Sequence, residues 1–242
     1  MKSRPECKPM QNTKNAKKPV NKNSWIIAGV LFLAAFLSIT FLTISKVTQG
    51  FDASVALSIN NMIIRSSLNS LLVLASEYGR EYFWIPVMAL MLLLGKRDTK
   101  LLAIELAALF VVGIIAGEVM KYAMFRARPY ETVTGIITRV IPDTDSSYPS
   151  GHALIVSIGA IFSLVRFHRK SIALLLTLEA AIVCYSRVYV GMHYPLDVLG
   201  GICLGGFIVF TGSYVLERYL KRVVSAVTDL AQKVLRSGLF SL

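Results

Sequence analysis

Three short groups of polar residues stand out in a chain that otherwise consists largely of long apolar runs. In chain order they are Lys121 to Pro129, Pro149-Ser150-Gly151-His152, and Ser186-Arg187 to Asp197 with His193 inside it. Guanidinium and ammonium groups bind phosphate oxygens, and imidazoles exchange protons near neutral pH. The residue types in these groups therefore indicate chemistry on a phosphate group.

The second group stands immediately before an apolar run. Ser150 is predicted to cap a helix there, and Gly151 lets a ligand approach the backbone closely. The free amides and the positive helix end form an anion site, and His152 in the first turn could reach a leaving oxygen. Taken alone, Pro-Ser-Gly is also common at the start of helices that bind no ligand.

The third group places His193 and Asp197 one helical turn apart. A carboxylate at that spacing can hold one imidazole nitrogen protonated, which leaves the other nitrogen free as a nucleophile or base. For this pair taken alone, a His–Asp capping interaction at a helix start is the favoured alternative.

The elements that must position these groups are membrane helices. With 55% hydrophobic and 17% charged residues, the chain is too apolar for an ordinary soluble domain. A spanning helix needs about 20 apolar residues, because lipid offers the backbone no hydrogen-bond partner. We predict an all-α bundle of six transmembrane helices, with interfacial helices over residues 51–76. The predicted spans are residues 25–44, 82–94, 101–124, 150–166, 171–190 and 196–216.

The distribution of positive charge argues against nucleic acid as the partner and predicts the topology. Of the 26 Lys and Arg residues, 18 lie in the two tails and the turns after the second and fourth spans. This is the pattern of the positive-inside rule, so both termini are predicted to be cytoplasmic. Residues 1–23 are predicted to be a disordered basic tail, 24–217 the six-span domain, and 218–242 an amphipathic cytoplasmic segment.

With this topology the three groups all lie at helix ends on the outer face, where basic residues should be scarce. Snorkelling towards the interface is the ordinary explanation for Lys121. A phosphate-binding cluster explains the crowding of Lys121, Arg126, Arg128 and Arg187 better. Three acidic residues, Glu105, Glu118 and Glu179, also fall inside predicted spans. Glu118 could pair with Lys121 or accept a hydrogen bond from a neighbouring helix.

The three groups together resemble the signature motifs of the type 2 phosphatidic acid phosphatase superfamily. They read Lys121-x6-Arg128-Pro129, then Pro149-Ser150-Gly151-His152, then Ser186-Arg187-x5-His193-x3-Asp197, in the family's order. Every signature position is filled, and the likeness covers roughly residues 50–216.

The resemblance implies a role for each site residue. His193 would attack phosphorus to give a phosphohistidine, Asp197 would orient it, and His152 would protonate the leaving group. Lys121, Arg128, Arg187 and the Ser150–Gly151 amides would hold the phosphoryl oxygens. No cofactor or metal is expected, since the basic cluster can supply the positive charge.

The predicted function is metal-independent hydrolysis of a lipid phosphate or diphosphate by a multi-pass protein of the plasma membrane. The substrate tails would lie in the bilayer. A polyprenyl diphosphate such as undecaprenyl diphosphate is slightly favoured over phosphatidate or phosphatidylglycerol phosphate. A lipid-linked phosphotransferase using the same intermediate is the main alternative, and an anion transporter is a weaker one. The resemblance extends to soluble haloperoxidases, but the predicted spans exclude them. The oligomeric state stays open.

Overall fold

In the computed structural model, the backbone is described for residues 22–236 and the side chains for 23–216 and Tyr219. The predicted tail 1–23 therefore lies almost wholly outside the described residues. Residues 22–236 form nine helices and no strand, so the all-α prediction is confirmed. The helices are α1 (Lys22–Ile44), α2 (Gln49–Asn60), α3 (Ser66–Tyr78), α4 (Glu81–Leu94), α5 (Arg97–Ala123), α6 (Pro129–Thr132), α7 (Gly151–Arg166), α8 (Lys170–Tyr189) and α9 (Pro195–Arg236).

Each of the six predicted spans is a helix, but the helices differ in length. Within the described part, α1, α5, α8 and the first 22 residues of α9 are long and apolar enough to cross a membrane. Helices α4 and α7 have 14 and 16 residues, which is short of the roughly 17–25 residues of a typical span. Four of the six predicted spans thus have the length and composition of a membrane span, and α4 and α7 are shorter apolar helices.

Two predicted boundaries can be compared with the structure. The helical character of residues 51–76 is confirmed by α2 and α3, which are joined by residues 61–65. Helix α9 runs without a break from the predicted domain 24–217 into the predicted segment 218–242, as far as Arg236. Between Gly212 and Arg236 no glycine or proline interrupts the helix. The cytoplasmic position of residues 218–242 stays a prediction.

Close backbone contact between α7 and α9 brings their N-terminal ends together. A Cβ at Gly201 would lie 2.7 Å from the Ser150 carbonyl oxygen, and one at Gly205 would lie 3.0 Å from the Leu154 carbonyl oxygen. Small residues allow such close approach of helices in lipid. At the same end, the Ser150 amide donates to the Asp197 carbonyl at 3.0 Å. The motif residues at the starts of α7 and α9 are therefore neighbours.

The long connection between α5 and α7 is held against this end of the bundle. The side-chain amide of Asn60, on α2, donates to the carbonyl oxygens of Ile137 and Tyr189 at 2.8 Å each, and its oxygen accepts from the Ile137 amide. The Tyr148 hydroxyl is hydrogen-bonded to Thr40 of α1 at 2.7 Å. These bonds join the connection to α1, α2 and α8.

Candidate active site

His193 lies in the turn between α8 and α9, with only 2% of its surface exposed. Its Nδ1 is 2.8 Å from the Ser147 carbonyl oxygen, which can only accept, so Nδ1 carries the proton and Nε2 is unprotonated. Nε2 accepts a hydrogen bond from Nη1 of Arg128 at 3.4 Å. Burial, together with the charges of Arg187 and Arg128, holds the pKa of His193 well below its usual range. The imidazole is therefore neutral at pH 7 and can act as a nucleophile.

Asp197 supports this histidine mostly through other groups. Its Oδ2 is 3.7 Å from Nδ1 of His193, beyond a hydrogen bond. The carboxylate instead accepts from the Ser147 hydroxyl, from the Tyr194 amide at 2.9 Å, and from Arg126. The resemblance implies that Asp197 orients His193 directly. In the structure the Ser147 carbonyl makes that bond, and Asp197 binds the hydroxyl of the same serine.

Arg126 joins the two buried carboxylates of Asp197 and Asp52. Its Nη2 is 2.7 Å from Asp52, its Nη1 is 2.5 Å from Asp197, and its guanidinium lies 4.0 Å from the ring centre of Tyr194. Asp52 also accepts from the Leu196 amide at 3.0 Å. Arg126 was counted in the basic cluster, but its donors are used here in holding α2 to the start of α9. The sequence signal for this bridge was Asp52, the single acidic residue of α2.

The three predicted phosphate-binding cations meet at the same place. Lys121 and Arg128 both form ion pairs with Asp145, and Nη2 of Arg187 is 3.0 Å from Asp143. Partial burial opposes ionisation of Asp145, but hydrogen bonds from Lys121 and Arg128 outweigh it and lower its pKa to about 2. Two carboxylates of the long connection therefore stand where phosphoryl oxygens are expected. Neither Asp143 nor Asp145 was among the site residues predicted from the sequence.

Neutral partners fix the two guanidinium groups in position. Arg128 donates from Nη1 to the Met192 carbonyl and from Nε to the Asp145 carbonyl, both at 3.0 Å. Arg187 donates to the Ser76 hydroxyl at 2.7 Å. Both arginine side chains are almost fully buried, so their cost of desolvation requires such partners.

The start of α7 lies against the same cations. Ser150 caps the helix by accepting from the Ala153 amide at 3.4 Å, as predicted. A Cβ at Gly151 would lie 3.8 Å from Nζ of Lys121 and 3.3 Å from Nη1 of Arg80. Arg80 belongs to none of the three motifs and was not among the site residues predicted from the sequence.

His152 follows in the first turn and lies within electrostatic reach of the other site residues. The cations that act on it are Arg187, Arg80 and Lys121. The structure thus brings all eight predicted residues to one end of the bundle: Lys121, Arg128, Ser150, Gly151, His152, Arg187, His193 and Asp197.

The acidic residues inside predicted spans have different surroundings. Glu118 Oε1 lies 3.6 Å from Nζ of Lys121, which agrees with the predicted pairing. Glu105 forms an ion pair with Arg166 at 2.8 Å, away from the site. Both carboxylate oxygens of Glu179 are buried without a hydrogen-bond partner in the described part of the chain.

This arrangement is suited to phosphoryl transfer. A neutral imidazole with an unprotonated nitrogen faces a group of cations, and a second imidazole stands at a helix N-terminus beside them. Transfer of a phosphoryl group depends mainly on positioning and on stabilising charge on its equatorial oxygens. Within residues 23–216, no three His, Cys, Asp or Glu side chains are grouped to hold a metal ion.

Comparison with known proteins agrees with this chemistry. Residues 100–221 match the PAP2 superfamily. An undecaprenyl-diphosphatase of Sulfolobus acidocaldarius is 44% identical over 187 residues, covering 77% of this chain and 87% of the relative. The undecaprenyl-diphosphatase BcrC of Bacillus subtilis is 27% identical, covering 70% of this chain and 87% of the relative. A PAP2-type phosphatidylglycerolphosphate phosphatase of Bacillus subtilis shares the fold, with a TM-score of 0.63 at 21% identity, covering 79% of this chain and 96% of the other.

Proposed function

This chain belongs to the PAP2 superfamily of membrane lipid phosphatases, and we propose that it hydrolyses a polyprenyl diphosphate of the undecaprenyl diphosphate class. The extent of its likeness to the Sulfolobus acidocaldarius undecaprenyl-diphosphatase supports this substrate over a glycerolipid phosphate. The observation that supports the mechanism is the pair of contacts made by His193, with Nδ1 held by the Ser147 carbonyl and the unprotonated Nε2 beside Arg128.

In the first step, Nε2 of His193 attacks the terminal phosphorus. A nitrogen–phosphorus bond forms while the bond from phosphorus to the bridging oxygen breaks, and the electron pair leaves with that oxygen. Lys121, Arg128 and Arg187 hold the equatorial oxygens of the phosphoryl group, with the amides at the start of α7. His152, protonated in the presence of the substrate's negative charge, gives its proton to the leaving lipid monophosphate.

In the second step, water attacks the phosphohistidine. His152 has lost its proton and now accepts one from that water, so the nitrogen–phosphorus bond breaks and inorganic phosphate is released. Both histidines return to their starting states. Because the cations supply the positive charge at the transferred group, the reaction proposed here needs no added metal ion.

The substrate's terminal phosphate must take the place of two carboxylates. Asp143 and Asp145 pair with Arg187, Arg128 and Lys121 in the structure. A phosphate dianion offers these cations more charge and more acceptor oxygens than either carboxylate. We infer that binding exchanges the carboxylates for phosphate, and that the connection carrying them moves slightly outward.

The proposed location of the site is the outer membrane face. It lies at the ends of α5 and α8 and at the starts of α7 and α9, opposite the turns that carry the excess of Lys and Arg. The positive-inside rule then supports an outer-face site. Helix ends at the interface also allow the lipid tails to stay in the bilayer while the headgroup enters.

The test uses the full chain purified in detergent. We expect phosphate release from a polyprenyl diphosphate in the presence of a chelator, and we expect His193→Gln to reduce it at least about a thousandfold. The matched control is His168→Gln, since His168 lies in the turn at the opposite end of α7 and should not matter. Brief reaction with substrate labelled at the terminal phosphate should leave acid-labile label on the wild-type protein and none on His193→Gln.

Three results would contradict the proposal in different ways. Transfer of the labelled phosphoryl group to a lipid acceptor instead of water would indicate a phosphotransferase. Anion flux that survives His193→Gln, without hydrolysis, would indicate a transporter. Faster hydrolysis of phosphatidate than of the polyprenyl diphosphate would leave the mechanism in place and reject the substrate.

A further inference from the structure

Arg80 is held at the site by the corner between α3 and α4. A Cβ on the preceding residue, Gly79, would lie 2.3 Å from a methyl carbon of Val183, so the backbone of this corner packs directly on α8. Val183 is one turn before Arg187 on that helix. One turn before Arg80, Ser76 accepts the hydrogen bond from Arg187. The guanidinium of Arg80 is thereby brought next to the phosphate-binding cations.

The partners of Arg80 differ from those of the other three cations. Lys121, Arg128 and Arg187 pair with Asp143 and Asp145, the two carboxylates that the phosphate must replace. Arg80 pairs instead with its own neighbour Glu81. Its buried Nε, like that of Arg187, has no hydrogen-bond partner among the described residues.

The position of Arg80 within the site is on the side of His152. Nη1 of Arg80 lies 3.3 Å from where a Cβ on Gly151 would stand, and Gly151 directly precedes His152 in α7. Nη1 of Arg128 instead lies 3.4 Å from Nε2 of His193. These contacts separate a nucleophile side with Arg128 from a leaving-group side with Arg80.

What stands on the leaving-group side depends on the substrate. In an in-line displacement the bond that breaks points away from His193 and towards the acid. In a lipid monophosphate, the leaving oxygen carries a carbon atom. In a lipid diphosphate, it carries a second phosphoryl group, whose two non-bridging oxygens share a negative charge. A guanidinium on this side therefore meets an anionic group of the substrate's leaving part only when the substrate is a diphosphate.

We propose that Arg80 binds the lipid-proximal phosphate of a diphosphate substrate and so makes the site prefer diphosphates to monophosphates. The proposal rests on the mechanism above, with His193 as nucleophile and His152 as acid. As the bridging bond breaks, the lipid-proximal phosphate gains negative charge, and the guanidinium stabilises it. Arg80 should thus contribute to kcat as well as to KM.

The experiment compares two substrates with the same tail, farnesyl diphosphate and farnesyl monophosphate. The full-length variants are Arg80→Gln, Arg80→Lys and Glu81→Gln, with Arg65→Gln as a control for loss of an outer-face arginine. We expect Arg80→Gln to lower kcat/KM for the diphosphate about 10- to 100-fold, the effect of losing a charged hydrogen-bond donor, and to change the monophosphate value less than about threefold. Arg80→Lys should fall between wild type and Arg80→Gln.

The controls separate substrate binding from a structural ion pair. Glu81→Gln should keep the diphosphate activity, because the proposed partner of Arg80 is substrate and not Glu81. Methylenediphosphonate should inhibit Arg80→Lys less than wild type, while inhibition by inorganic phosphate should stay the same. This measurement uses the charge-conserving variant, so it remains available if Arg80→Gln does not fold.

Distinct results overturn the proposal. Equal losses on both farnesyl substrates would place Arg80 on the transferred phosphate. Unchanged activity on both, or a loss matched by Glu81→Gln, would make its role structural. In each case a wild-type preference for the diphosphate leaves the proposed function standing. A wild-type preference for the monophosphate would reject both the role of Arg80 and the proposed substrate.

Discussion

The Nδ1 atom of His193 lies 2.8 Å from the carbonyl oxygen of Ser147 and 3.7 Å from the nearest carboxylate oxygen of Asp197. A backbone carbonyl is always an acceptor, whatever the pH and whatever the side chain. The position of the backbone at Ser147 therefore keeps the proton on Nδ1, and Nε2 stays unprotonated. Asp197 adds negative charge and fixes the Ser147 hydroxyl.

This relationship predicts a moderate effect for Asp197→Asn. In a catalytic triad the same change costs about 10⁴ in kcat because the histidine takes the wrong tautomer. Here the Ser147 carbonyl keeps the tautomer, so we expect a loss of about 10- to 100-fold, typical for an indirect supporting group. The measurement compares the kcat of Asp197→Asn on the polyprenyl diphosphate with the kcat values of wild type and His193→Gln. Asp98→Asn, at the opposite end of α5, is the control. A loss as complete as that of His193→Gln would mean that the carboxylate itself sets the tautomer.

The bridge from Asp52 through Arg126 to Asp197 predicts a stability effect. Arg126→Met leaves two buried carboxylates without their cation, which typically costs about 3–5 kcal/mol. Asp52→Asn keeps the bond between Arg126 and Asp197 and should cost clearly less. Unfolding in detergent, followed by helical circular dichroism, compares the two variants with wild type. An Arg126→Met protein as stable as wild type would show that the bridge is not needed to hold α2 against α9.

The groups that the sequence allowed us to anticipate share one property, which is their place at a helix end. Ser150 and His152 begin α7, Lys121 ends α5, and Asp197 begins α9. Once apolar runs are recognised as helices, the ends of alternate helices must meet on one side of the bundle. The side chains at those ends then become neighbours without any knowledge of packing.

The groups that were missed depend on features that no local pattern carries. Asp143 and Asp145 lie in an irregular connection, whose path depends on contacts such as those of Asn60. Ser147 contributes a carbonyl oxygen, which every residue possesses. Arg80 reaches the site because Gly79 packs closely on α8, and that contact is tertiary. The excess of outer-face basic residues was a signal for Arg80, though it did not single it out.

The contact between Gly159 and Trp84 predicts a substitution that affects stability and spares the chemistry. A Cβ at residue 159 would lie 2.2 Å from the indole of Trp84, which is 1% exposed and held between α4, α5 and α7. Gly159→Ala should therefore destabilise the protein by about 1–3 kcal/mol. Activity at low temperature should stay near wild type, since residue 159 lies about two turns from His152. Gly50→Ala, where nothing lies within 4 Å of the new Cβ, is the matched control for unfolding. Equal stability of the two variants would contradict this packing.

The competition between Asp145 and phosphate predicts a gain in affinity. Asp145→Asn frees Lys121 and Arg128 from a carboxylate partner, so inorganic phosphate should inhibit the variant at concentrations about three- to tenfold lower. Glu118→Gln is the control, because Glu118 also pairs with Lys121 but is largely exposed, and such pairs contribute little.

The pH dependence of this gain follows from the ionisation of Asp145. Its pKa is lowered from 3.8 to about 2, so the carboxylate is charged and competes with phosphate throughout the range from pH 5 to 8. The ratio of wild-type to variant inhibition constants should thus stay constant over that range. Because the folded-state pKa is the lower one, the stability that these ion pairs provide is fully present above about pH 4 and is lost as the pH falls towards 2. Weaker phosphate inhibition of Asp145→Asn than of wild type would instead mean that Asp145 holds the two cations in their binding positions, and that the phosphate does not replace it.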